Sequence, residues 1–106
     1  MADQIEVTQQ HKELAKVSEA LAHPTRIAIL DYILSQEVCL CKDITKRLPI
    51  VQSSVSQHIK KLKDAGLIYG EKHGAKTCYC GNREHLLKFK SLINQFLNIE
   101  NWWCDC

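Results

Sequence analysis

The sequence predicts a mainly α domain carrying one small β-hairpin, and three observations support that class. Apolar residues recur at helical spacing through the first two thirds of the chain and again near its end. Between those stretches, GLIYGEKHGAKTCYCGN changes to short β-prone runs punctuated by glycine. Two consecutive helical stretches, joined by the tight LPIV turn, lead straight into that hairpin. Helices followed by a basic hairpin and a last helix are the order of a winged helix-turn-helix.

Each element has its own signal. Over residues 8–21, Leu14, Val17, Ser18 and Leu21 fall on one helical stripe, with Lys12, Lys16 and Glu19 outside it. HPTRIAILDYILS opens a second helix; Pro24 suits a first turn, where its missing N–H costs nothing, and His23 reads as a capping or turn residue. Ile27, Leu30, Ile33 and Leu34 make this helix almost wholly apolar, which places it at the centre. A short third helix is expected over 42–48, with Ile44 and Leu48 on one face, and Pro49 stops it. The fourth, over 51–65, buries Val51, Val55, Ile59 and Leu62, and Gly66 is placed to cap its end. Short strands are expected at 67–69 and 77–80, joined by a loop. Asn82 is a good N-cap for the last helix, where Leu86, Phe89, Ile93 and Phe96 repeat as a helix packed along a partner requires. The tail NIENWWCDC leaves this pattern, so residues 1–106 read as one domain with 98–106 as a cysteine-bearing tail.

Composition excludes several classes. With 106 residues, 45% hydrophobic and 25% charged, the chain has room for one modest core. No apolar run approaches the roughly 18 residues that cross a bilayer, and no membrane partner is expected. The polar N-terminus lacks a signal-peptide stretch, so a cytoplasmic location with reduced thiols is expected. No acid–base or nucleophile constellation points to an enzyme, and a thiol oxidoreductase would need a βαβ pattern that is missing.

Net charge is only +2, but it is unevenly spread. Residues 1–41 hold three basic and six acidic side chains, and residues 42–76 hold eight basic and three acidic. That middle third is a candidate phosphate-facing surface. Its helix opens QSSVSQHIKK. Gln52, Ser53, Ser54, Ser56, Gln57 and His58 are candidates for base-edge contacts in a major groove, where glutamine pairs with adenine and serine both donates and accepts. Lys60 and Lys61 suit phosphate contacts, and Lys72, His73 and Lys76 of the hairpin are placed to reach neighbouring backbone or minor groove.

These segments carry a resemblance. LAHPTRIAILDYIL, EVCLCKDITKRL, VQSSVSQHIKKLKDAGLI and the hairpin over 74–79 resemble the ArsR/SmtB family of metal-responsive repressors, in its arsenic-sensing branch. The likeness runs from about residue 12 to residue 97, and EVCLCKDI, similar to the family's E-L-C-V-C-D-L, is its most specific part. It implies a homodimer joined through the first and last helices and bound to double-stranded DNA at an inverted-repeat operator. An inducer would release that operator, and DNA binding itself would need no cofactor. The zinc-sensing branch places a D-x-H pair early in the last helix and two ligands about three turns later. Here Arg83, His85, Phe96 and Ile99 occupy those places, so that zinc site is expected to be absent and His85 to be a surface or capping residue.

All six cysteines fall into C-x-C pairs: Cys39/Cys41, Cys78/Cys80 and Cys104/Cys106. In a helix, residues i and i+2 point about 200° apart, so such a pair chelates only at a junction or in extended chain. Thiolates are soft ligands, and As(III) or Sb(III) is the favoured inducer, with Cd(II) and Pb(II) also compatible. Cys39 and Cys41 sit at the entrance to the helix-turn-helix. As(III) prefers three sulfurs and residues 1–38 contain no cysteine, so Cys104 and Cys106 are expected to close the site, within or between subunits. Cys78 and Cys80 share one strand face, as a second metal clip or as two exposed wing residues. Two alternatives keep the fold: a redox or persulfide sensor acting through a cysteine pair, and a structural zinc site drawn from the hairpin and tail.

Overall fold

The computed structural model describes residues 4–40 and 44–105, apart from the side chains of Thr45, Lys46 and Gln52. Cys41, Lys42, Cys106 and the Gln52 side chain, all singled out by the sequence, lie outside the described residues. Four α-helices and a two-stranded antiparallel hairpin follow in chain order: α1 (Gln9–Ala20), α2 (Pro24–Leu34), α3 (Gln52–Asp64), β1 (Ile68–His73), β2 (Lys76–Gly81) and α4 (Arg83–Phe96). None of the described helices is long and apolar enough to cross a membrane.

Local chemistry sets the helix ends. Thr8 and His11 form a capping box: Thr8 Oγ1 accepts the His11 N–H at 3.2 Å, and His11 Nδ1 accepts the Thr8 N–H at 3.1 Å. His23 does cap α2, its Nδ1 accepting from the Thr25 N–H at 3.1 Å, with Pro24 in the first turn. Arg26 Nε donates to the Ala20 carbonyl at 2.7 Å, which ties the start of α2 to the last turn of α1. Such caps contribute about 1 kcal/mol each. Asn82 caps α4 as expected, accepting from the His85 N–H.

Two elements differ from expectation. In place of a third α-helix there is a single 3-10 turn, Ile44–Arg47, with Ile44 buried. Pro49 ends the segment so soon that few helical bonds can offset nucleation. The hairpin strands reach further than the short runs at 67–69 and 77–80, because the charged loop folds into the ladder. Gly74, at φ +66°, takes the first central position of a two-residue turn between His73 and Lys76, as a type II′ hairpin requires.

The core is built from Ile29, Leu30 and Ile33 of α2, Val55, Ile59 and Leu62 of α3, and Leu40, Ile44, Leu67 and Ile68 from the connections and β1. At the end of α3 the Leu67 N–H reaches the Leu62 carbonyl at 3.1 Å and the Gly66 N–H reaches Lys63 at 2.9 Å. With Gly66 at φ +80°, this is a Schellman cap whose two apolar ends, Leu62 and Leu67, are both buried. It fixes α3 to the hairpin. Ile27, Leu34 and Val51, expected inside, are exposed; Val51 is the residue before α3 and precedes its buried face. α4 packs against α1 but has no fully buried residue, and Leu87 and Phe96 stay exposed on it.

Candidate nucleic-acid interface and thiol site

α3 separates its faces cleanly. Val55, Ile59 and Leu62 are buried, while Ser53, Ser56, Gln57, Lys60 and Lys61 are exposed and Ser54 is half-buried. Val51, the N-cap of α3, makes no side-chain capping bond. Lys60 makes an exposed pair with Asp64 at 3.1 Å, which contributes little to stability.

His58 sits differently from its neighbours. It is half-buried, its ring centroid 4.5 Å from that of His23 at the start of α2. Burial, then the charges of His23 and Arg26, hold its pKa below the ordinary 6.5. It therefore joins α3 to α2.

On the wing, Lys72, His73 and Lys76 are all exposed, with His73 and Lys76 facing each other across the turn. His73 Nε2 lies 3.2 Å from Glu71 Oε2. At the other end of the hairpin, His85 Nδ1 is 3.0 Å from the Gly66 carbonyl and 3.2 Å from Asn82 Nδ2. His85 is thus a surface residue hydrogen-bonded just past the end of α3.

The thiol site grows from a short ladder that the sequence did not announce. Leu40 and Tyr79 exchange both backbone hydrogen bonds at 2.8 Å, which adds one residue pair of a third strand beside β2. In an antiparallel ladder the pair next to a bonded pair brings its Cα atoms to about 4.5 Å. Cys39 and Cys80 occupy that neighbouring pair, with Cα atoms 4.5 Å apart, and they form a disulfide. Cys78 and Cys80 are 1% and 5% exposed, so they are core residues of the wing base and not solvent-facing ones. Cys78 faces Glu71 across the hairpin. Cys78 and Cys104 are each disulfide-bonded as well.

Among the described residues, one group has donors close enough to share a metal ion: Cys39, Cys80 and Glu71, whose ligand atoms all lie within 4.8 Å of one another. Cys39 and Cys80 are bonded to each other here, so they can serve as thiolate ligands beside the Glu71 carboxylate only once that disulfide is reduced. Cys104 lies in the exposed tail and is not in this group. Glu71 and the pairing of Cys39 with Cys80 are what sequence reasoning missed. The available signal was the matched spelling of CLC and CYC, each with an apolar residue between two thiols that face one way on a strand.

A family model described as a helix-turn-helix domain matches residues 21–69. An arsenical resistance operon repressor from Staphylococcus xylosus is 36% identical over 91 residues, spanning 86% of this chain and 83% of that protein. The fold is similar to that of an ArsR-like transcriptional regulator from a Rhodococcus species, with TM-score 0.71 at 24% identity over 84% of this chain and 83% of that one. It is also similar to a homodimeric winged helix-turn-helix DNA-binding domain from Mycobacterium bovis, a possible ArsR-family regulator. There the TM-score is 0.66 at 22% identity, covering 95% of this chain and 94% of that one.

Proposed function

Because the chain belongs to the ArsR/SmtB family of metal(loid)-responsive winged helix-turn-helix transcriptional repressors, which are not enzymes, we propose a specific cycle for it. A homodimer binds an inverted-repeat operator, and a thiophilic ion at cysteine thiolates that include Cys39 releases it. As(III) or Sb(III) is the favoured inducer, in line with the arsenical resistance repressor of S. xylosus. Cd(II) and Pb(II) suit the same soft donors.

One observation carries this reading: the Leu40–Tyr79 ladder holds Cys39 against the wing, directly ahead of the helix-turn-helix. An ion bound there acts on both DNA-facing parts at once. The exposed face of α3 enters the major groove, where Ser53, Ser56 and Gln57 meet base edges and Lys60 and Lys61 meet phosphates. Lys72, His73 and Lys76 add wing contacts. Moving the wing base against α3 misaligns the two. To turn a population from 1:99 to 99:1 the inducer must bind the released form about 10⁴-fold more tightly than the DNA-bound form. The one-sided burial of α4, with Phe96 exposed beside α1, supports a second copy as the partner of that face.

The test is a gel-shift titration of the reduced protein on its own promoter. Arsenite or antimonite should release the DNA at stoichiometric concentration, and Cys39→Ser should abolish release while leaving DNA binding intact. Release that survives Cys39→Ser would overturn the assignment. The disulfide itself supports a second reading, in which oxidation is the signal. Two thiols would give two electrons and two protons to a peroxide, which leaves as water, and the closed disulfide would release DNA. Peroxide-driven release that a reductant reverses, without any metalloid, would favour that reading.

A further inference from the structure

We propose that the wing is itself a ligand-bearing element: Cys39, Cys80 and Glu71 form a three-donor site for a thiophilic divalent cation, closed within one subunit. This rests on the reading that Cys39 is the sensing thiol, and it names the donors that complete the site for the divalent ions among its inducers.

The ladder does the positioning. Leu40 and Tyr79 lock register, so Cys39 and Cys80 meet side by side without help from the tail. Glu71, on the neighbouring strand, brings its carboxylate to the same point. Cys80 is buried while Glu71 is exposed, so the group runs from a buried thiol to a carboxylate at the surface, where a cation can enter. The donor set also selects. Two thiolates and one carboxylate suit Cd(II), Pb(II) or Zn(II), which accept both sulfur and oxygen, whereas As(III) favours sulfur throughout. A thiol or phosphine reductant first opens the Cys39–Cys80 disulfide with two electrons, and each thiol then loses its proton to the solvent as the ion binds.

The same carboxylate links the site to DNA contact. Glu71 Oε2 is the partner of His73 Nε2, 3.2 Å away beside the hairpin turn. An ion that takes the Glu71 carboxylate withdraws it from His73, so occupation at the wing base alters a side chain at the wing tip.

The experiment titrates full-length, phosphine-reduced protein with Cd(II) alone, read by the thiolate-to-metal charge-transfer band. Cys80→Ser should lose one thiolate's share of the band and weaken binding by roughly tenfold or more; Glu71→Gln should weaken it by about tenfold with the band intact. Cys104→Ser should bind as the parent does. Parent-like Cd(II) affinity in Cys80→Ser, or a loss confined to Cys104→Ser, would overturn the site. Cys80 is buried, so circular dichroism checks that variant's fold; if it fails to fold, the exposed Glu71→Gln decides, and parent-like affinity there sinks the proposal. Arsenite-driven operator release that persists in both wing variants alongside unchanged Cd(II) binding defeats this site and leaves the repressor reading standing. Cd(II) binding as described with the operator still held does the reverse.

Discussion

Cys78–Cys80 and the tail after residue 98 carry the same C-x-C spelling in opposite surroundings. The wing pair is buried in the hairpin base, held by strand register and faced by Cys39 and Glu71. The tail runs past Trp102 and Trp103, which are 69% and 81% exposed, and Cys104 is exposed with them. The contrast teaches that spacing makes a cysteine pair a candidate, and that a ladder fixes which residues its thiols meet. A thiol whose backbone is fixed by a ladder needs little ordering when a ligand arrives, whereas one on a segment outside any ladder must lose more conformational freedom on binding.

The sharpest way to break the contrast is to break the ladder. Tyr79→Pro removes the N–H that bonds the Leu40 carbonyl, and within a sheet it should cost about 3 kcal/mol, measured by urea unfolding. Trp102→Pro in the tail should change stability by less than about 0.5 kcal/mol. Equal effects would remove the distinction between the two regions.

Alkylation sharpens the same comparison. In reduced native protein, Cys104 should react with iodoacetamide at the rate of an exposed thiol, and Cys78 and Cys80 should react only when the wing opens. Their rates should converge with that of Cys104 in denaturant, followed by peptide mass spectrometry. Native rates that already match would show that the wing base is open.

Most of the fold was legible because helical periodicity and end chemistry agree. The stripe Val55, Ile59, Leu62, the caps at His23 and Asn82, and Gly66 at the end of α3 all appear where their residue types predict. The thiol site was only half legible. EVCLC marks Cys39 by its spacing, but which residue meets it depends on Leu40 pairing with Tyr79, a contact between positions far apart in sequence. No local pattern encodes that register. The apolar residue between two cysteines reads equally as a junction or a strand. Ile27 and Val51 were placed inside for a related reason: periodicity finds an apolar stripe but not which part of it a neighbour covers.

Smaller effects come from the DNA-facing helix. Lys60→Ala should leave folding stability within about 0.5 kcal/mol, since its pair with Asp64 is exposed. It should still weaken operator binding and lower the salt slope by about one for a lost phosphate contact. An unchanged slope would place Lys60 off the phosphate backbone.

His58 gives the smallest effect, with a definite sign. Its folded pKa lies below 6.5 because of burial, His23 and Arg26, so the unfolded chain takes up a proton first as pH falls. Its contribution is present above about pH 6.5 and is lost as pH drops toward the lowered folded value. Below that value both states are protonated and the slope levels off. His58→Gln should flatten this part of the stability curve, and a steeper fall in the variant would contradict the assigned cause.

Operator release measured by fluorescence anisotropy tests the central claim most directly. Reduced protein saturating its own promoter fragment is titrated with arsenite and, separately, with Cd(II), alongside Cys39→Ser. Release of the parent by at least one of these ions, with Cys39→Ser still bound at the same concentrations, is the predicted result. Release of both proteins alike, or of neither, would contradict the account.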